Sequence, residues 1–208
     1  MSKKICSGIY IVIDPAQKKE EIIKQLFKLK RESIAALQIW DNPDIDTIDE
    51  ELLNKIFQIF KNKTPILINN KWKLLKKFEF DGVHFDEIPK ELDKIVSKIG
   101  HDFIKGITLN NDLKIVEKAE KLNFDYLSFC ALFPSKTVDN CEIVNPETIQ
   151  ECSKITSMPI FLSGGITPNK IHQLKDLSFQ GIAVVSGIMK AKDSKKKFKK
   201  YKFELNKL

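Results

Sequence analysis

The stretch Pro159–Met189, PIFLSGGITPNKIHQLKDLSFQGIAVVSGIM, reads as two buried strands with a helix between them. Pro159 to Leu162 is a short apolar run of the kind shown by a strand buried on both faces. It stops at Ser163-Gly164-Gly165, where backbone without side chains lets a ligand come close. Thr167 stands at an N-cap position with Pro168 as the first helical residue, and Ile171, Leu174 and Leu177 recur at helical spacing. Gly181 to Val185 is the second strand, ended by Ser186-Gly187. Either glycine site alone reads as ordinary turn chemistry. Repeated at the ends of successive parallel strands, the two present several N–H groups and a hydroxyl at one sheet edge, which suits a phosphate. In a (β/α)8 barrel the loops after strands seven and eight commonly form such a site, so the units before Pro159 decide the fold.

Six such units can be read. Gly8 to Asp14 is an apolar, β-branched strand, and Asp14-Pro15 is expected to cap a helix carrying Ile22, Ile23, Leu26 and Leu29. Ile34 to Asp41 is the second strand, with Gln38, Trp40 and Asn42 at alternate positions and therefore expected on one face. Leu52, Leu53, Ile56, Ile59 and Phe60 form its helix. Pro65 to Asn69 is followed by a short helical stretch around Leu74 and Leu75, and Gly82 to Phe85 by Asp86-Glu87 and a helix with Leu92, Ile95, Val96 and Ile99. Ile104 to Leu109 leads to Leu113, Val116, Ala119 and Leu122. Phe124 to Cys130 opens into the longest connection, Ala131 to Val144, after which Asn145-Pro146 is expected to cap a helix with Ile149 and Ile155. Eight strand-helix pairs in strict alternation predict parallel strands and a closed (β/α)8 TIM barrel in one domain, with an open doubly wound sheet as the alternative.

Composition agrees with this class. At 208 residues and 42% hydrophobic, the chain can bury a full core but leaves little length for insertions. It has no long apolar run and no signal-peptide pattern, so the expectation is a soluble, cytoplasmic protein without membrane association. Cys6, Cys130, Cys141 and Cys152 are scattered, as suits reduced thiols better than a zinc site. The net charge of +7 is concentrated in residues 192–208, where eight lysines and two acids give +6. There Phe198, Tyr201, Leu205 and Leu208 mark the apolar stripe of a packed helix, so the lysines read as a solvated face rather than a nucleic-acid surface.

The strand ends AALQIWDN, ILINNKW, FDGVHFDEIP, FDYLSFCALFPSKT, PIFLSGGITPNKI and GIAVVSGIM, in this order and spacing, resemble the thiamine-phosphate synthase family and its sister, the thiazole tautomerases. Members of the first family join a thiazole phosphate to an aminopyrimidine diphosphate and release pyrophosphate with Mg²⁺. The resemblance implies a small phosphorylated heterocyclic ligand, whose phosphate is held by Gly164, Gly165, Val185 and Ser186. It places Ser135 and Thr137 on the family's paired threonines and Thr108 on a serine near the pyrophosphate. Gln38 and Asn69 are retained.

The departures share a physical sense. Trp40 and Asn42 stand where the family has an arginine and a lysine, and Asn70 replaces an aspartate that binds Mg²⁺. Glu87, with Asp86 as fallback, is the best remaining metal ligand. A family lysine aligns with Val138, although Lys136 and Lys71 lie near in sequence. A diphosphate leaving group needs concentrated positive charge and hard oxygen ligands, and an indole offers neither. Trp40 is expected instead to stack on a flat heterocycle. The resemblance therefore carries three functions: a synthase with a degraded diphosphate site, a barrel that binds thiamine phosphate without making it, and a tautomerase-like enzyme. For the last, the catalytic histidine aligns with Ala131. His84 is expected to line the barrel.

Overall fold

In the computed structural model, residues 3–134 and 142–208 are described. Eight parallel strands close on one another in sequence order: β1 Gly8–Ile13, β2 Ala36–Ile39, β3 Ile66–Asn69, β4 Gly82–Phe85, β5 Ile104–Leu109, β6 Tyr126–Phe129, β7 Ile160–Ser163 and β8 Gly181–Val184. Closure is made by β8 against β1, with Gly8 opposite Gly181 and Ile11 opposite Val184. The helices are α1 Lys19–Leu29, α2 Glu50–Phe60, α3 Leu92–Ile99, α4 Lys114–Lys121, α5 Pro146–Ile155, α6 Ser186–Met189 and α7 Ser194–Leu205. The third and seventh connections are 3-10 segments, Trp72–Lys76 and Pro168–Leu174, rather than α-helices. Their apolar residues still reach the core, because i and i+3 share a face in either helix. No described helix is long and apolar enough to cross a membrane.

Side chains alternate along every strand, and this alternation makes two cores. Ile9, Ile11 and Ile13 of β1, Ile66 and Ile68 of β3 and Leu127 and Phe129 of β6 point outward and pack under the helices. Tyr10, Val12, Ala36, Leu67, Ile104, Tyr126, Phe161 and Ala183 point inward and fill the barrel. Three rings dominate the interior: Phe161 stands edge-on to Tyr10 at 5.7 Å and to Tyr126 at 5.8 Å. Small residues opposite make room for them. A Cβ at Gly106 would strike the Tyr126 ring, so that position has no side chain because the tyrosine fills its space.

Local caps differ from expectation. The first helix begins at Lys19, so Asp14 does not cap it; its carboxylate accepts instead from the Ala16 N–H at 3.0 Å and from Asn42 Nδ2 at 2.8 Å. Thr167 and Asn145 occupy N-cap positions without a side-chain cap bond. Asp49 does cap α2, accepting from the N–H groups of Glu51 and Leu52, which fits an acidic helix start. The C-terminal helix stops at Leu205 and buries Phe198 and Tyr201; Leu208 lies beyond it and is exposed. Val96 and Ile155, read as stripe residues, are also exposed.

Candidate functional site

The inward alternation that places aromatics in the barrel interior places polar groups one layer higher, toward the C-terminal strand ends. Gln38, Asn69, His84, Thr108, Ser128 and Ser163 all line a cavity of about 1160 Å³ at that mouth. Its wall continues through Trp40, Asp86, Glu87, Gly164, Gly165, Val185 and Ser186. The structure thus brings together the retained pair Gln38 and Asn69, the loop after β4, and the Gly/Ser ends of β7 and β8.

The β7 end is built by close backbone approach. Gly164 and Gly165 have φ of 86° and 64°, in the left-handed region that favours glycine. The chain after β6 runs against them: the Leu132 N–H donates to the Ser163 carbonyl at 2.9 Å and the Phe133 N–H to the Gly164 carbonyl at 3.1 Å. These bonds use carbonyls of the turn and leave its N–H groups. Among the described residues, no backbone carbonyl accepts from the N–H of Gly164, Gly165, Ser186 or Gly187. Ser163 Oγ donates to the Phe129 carbonyl at 2.9 Å, which ties β7 to the end of β6.

Across the mouth, Asn69 braces three strand ends. Its Nδ2 donates to the His84 carbonyl and to Asp86 Oδ1, both at 3.1 Å, and its Oδ1 accepts from the Asp41 N–H at 3.3 Å. Asn70, at φ 52°, exchanges two bonds with Asp86, donating to Oδ2 at 2.7 Å and accepting from the Asp86 N–H at 3.0 Å. The Asn70 amide oxygen, the neutral ligand that remains where the family has a Mg²⁺-binding aspartate, thus accepts one bond within the loop pair. Among the described residues no three His, Cys, Asp or Glu side chains gather to hold a metal ion.

Two expected pocket residues lie elsewhere. Asn42 is turned to Asp14, because β2 ends at Ile39 and alternation does not extend beyond it. Lys71 is paired with Asp41 at 2.8 Å. Ser135, Lys136 and Thr137 lie outside the described residues. Among the described lining residues the cations are Lys118 and Lys170, against Asp86, Glu87 and Glu142. Lys170, which sequence reasoning missed, lies 4.6 Å from the centre of the Phe133 ring. Its position two residues after Pro168 in the segment following Gly165 was the available signal.

Below this wall lies a chain of buried polar groups. Tyr10 Oη donates to Gln38 Oε1 at 2.7 Å and lies 2.9 Å from Tyr126 Oη, which is 2.8 Å from His84 Nδ1; His84 Nε2 is 2.9 Å from Thr108 Oγ1. Burial pushes both tyrosine hydroxyls well above their ordinary range and lowers His84 to about 4, with Asp86 opposing that last shift. Sequence reading placed His84 in the barrel wall but missed both tyrosines, whose inward direction follows from the period of two that ends at Val12 and Cys130.

The family model described as thiamine monophosphate synthase matches residues 9–188. Thiamine-phosphate synthase of Methanobrevibacter smithii is 28% identical over 190 residues, covering 90% of each chain. That of Fusobacterium nucleatum subsp. nucleatum is 32% identical over 143 residues, 68% of this chain and 69% of the other. Among solved structures, the thiamine phosphate pyrophosphorylase from Pyrococcus furiosus superposes with a TM-score of 0.77 at 19% identity, covering 96% of each chain, a likeness of fold. A closed barrel with glycine- and serine-ended strands seven and eight, matched by the family model across all eight strands, belongs to the thiamine monophosphate synthase family.

Proposed function

We propose that the chain is a transferase of the thiamine-phosphate synthase type, joining a thiazole phosphate to an aminopyrimidine diphosphate. The single observation that carries this reading is the pair of turns after β7 and β8, whose N–H groups at Gly164, Gly165, Ser186 and Gly187 meet no backbone carbonyl among the described residues. Such donors suit the phosphate common to the thiazole substrate and the product. In the reaction the carbon–oxygen bond to the diphosphate breaks with its electron pair leaving on oxygen, and a carbon–nitrogen bond forms at the same carbon. Gln38, Asn69 and Thr108 line the wall facing the β7 and β8 turns. Trp40 contributes a flat face for a ring.

Magnesium would be held by Glu87 with Asp86 beside it. Mg²⁺ commonly takes one or two carboxylates and completes its octahedron with water and substrate phosphate, so two adjacent carboxylates at the cavity wall suffice. Bound there, the ion would neutralise charge on the departing diphosphate. The carbonyl of Asn70 accepts from the Asp86 N–H and has its second lone pair left to offer the ion as a neutral ligand.

A second reading is favoured by one observation. The residue that follows β2 at the cavity wall is Trp40 and not a cation, and the described lining carries two lysines against three acids. That balance suits a barrel that binds thiamine phosphate better than one that expels a diphosphate. A product assay with both substrates and Mg²⁺, beside a titration with thiamine phosphate, separates the two. Product formation supports the synthase; tight binding without product supports the binding barrel; neither refutes both.

A further inference from the structure

The buried chain from Thr108 to Gln38 has one direction of donation. An amide oxygen only accepts, so the Tyr10 hydroxyl proton is committed to Gln38 Oε1. In the 2.9 Å contact between the tyrosines, Tyr126 must then be the donor. With its own proton spent, Tyr126 can only accept from His84, which puts a proton on Nδ1. Neither ring nitrogen of His84 is bonded to a carboxylate; its partners are two hydroxyls. A neutral ring is the stable form in such a place, because a buried imidazolium without a bonded counter-charge is costly. A neutral ring protonated on Nδ1 has a lone pair on Nε2, and that lone pair takes the Thr108 hydroxyl proton.

Both ends of this chain, Thr108 and Gln38, line the cavity, as do His84 and Tyr10 between them, whose polar atoms are taken up within the chain; Tyr126 is not among the lining residues. Thr108 has given its proton inward, so it meets a ligand with lone pairs. Gln38 has its oxygen held inward, so it meets a ligand with its NH₂ group. We infer that Tyr10, Tyr126 and His84 are positioning residues, a one-way hydrogen-bond relay that commits Thr108 to accept from the ligand and Gln38 to donate to it. The inference rests on the reading that the ligand occupies this mouth. It adds a specificity rule: a ligand that offers an acceptor to Thr108 and a donor to Gln38 is refused. The cause lies with three side chains, one of which, Tyr126, does not line the cavity at all.

The relay is tested first without ligand. Long-range proton–nitrogen correlation spectra of the ¹⁵N-labelled full chain at pH 7 report the tautomer of each histidine. The chain has three, and His101→Asn and His172→Asn assign the two outside the barrel. The relay requires His84 to be neutral with its proton on Nδ1, the tautomer that histidine in water disfavours. A proton on Nε2, or on both nitrogens, overturns it. The second arm is a titration with thiamine phosphate. Tyr10→Phe should weaken binding about five- to tenfold, as for loss of one orienting hydrogen bond, but by less than about twofold in a Gln38→Leu background, where no amide remains to orient. Equal weakening in both backgrounds means that Tyr10 acts only on stability, and overturns the positioning role. If the unaltered chain binds no thiamine phosphate, the binding reading fails, the product assay alone decides the synthase, and the tautomer of His84 alone decides the relay.

Discussion

Replacing Gly165 with alanine tests the architecture of the phosphate turn, and the structure supplies both the expected cost and its control. At φ 64° an alanine carries the left-handed strain of an L-residue, about 1 kcal/mol. Its Cβ would also lie 2.5 Å from the Phe133 carbonyl oxygen and 2.8 Å from both Phe133 Cβ and the Pro134 oxygen. Those neighbours are mostly backbone, so the chain after β6 must move, at a cost typical of overpacking, about 1–3 kcal/mol. The sum is about 2–4 kcal/mol, or roughly 5–15 °C in the melting temperature of a chain this long. Gly100 is the control, since at φ 76° it is equally left-handed but has no neighbour nearer than the Ser97 oxygen at 4.0 Å. Gly100→Ala should therefore show the strain alone, a loss of about 2–4 °C. Thermal denaturation followed by circular dichroism measures both, and thiamine phosphate titration should show a binding defect for Gly165→Ala only. Equal, small losses of stability in the two variants would refute the close approach of Phe133 and Pro134 to the turn, and with it the account of why the turn is built of glycine.

Trp40→Ala should weaken thiamine phosphate binding about three- to tenfold, the worth of one aromatic contact, and in a Trp72→Phe background the Trp40 emission should change on titration. Tight pyrophosphate binding with no fluorescence response to thiamine phosphate would contradict this placement. Glu87→Gln should cut Mg²⁺-dependent turnover by about a hundredfold while leaving thiamine phosphate affinity unchanged, since it removes a ligand of the ion and not of the thiazole phosphate; wild-type turnover would exclude the role. Burial, with a smaller contribution from Glu120, pushes the Cys152 thiol up to about 11. The thiolate is the reactive form and forms only as pH rises toward that value, so at pH 8 alkylation mapped by mass spectrometry should mark exposed Cys6 and spare Cys152. Equal labelling of the two in the folded chain would show that Cys152 is not held in the core.

The eight strands were legible because each is short, apolar and closed by a polar or glycine residue, and because the period of two says which residues face inward. That reasoning brings Gln38 and Trp40 to the cavity wall, the Trp40 N–H still bonding the Ile13 carbonyl one residue past β2, and fails at Asn42, where the chain has turned toward Asp14. Lys71 escaped for a different reason: its partner, Asp41, lies thirty positions earlier, and only the closed sheet brings the two loops together. The exchange between Asn70 and Asp86 was not legible either, because a left-handed backbone aims the Asn70 amide at Asp86, and no pattern of residue types announces such a turn. The relay was invisible for the same kind of cause. Its central contact joins residues 116 apart, and a tyrosine inside an apolar strand reads as packing until its hydroxyl is seen to have a partner.

The interlocked rings of Tyr10, Tyr126 and Phe161 have a consequence for traffic. With the bore stoppered by aromatic side chains, the cavity is, among the described residues, a vessel closed at its floor and open at the strand ends. Everything that enters at the strand ends must also depart there, so whichever molecule seats deepest is first in and last out. For a reaction with two substrates and two products, a single doorway turns the geometry of the floor into a queue.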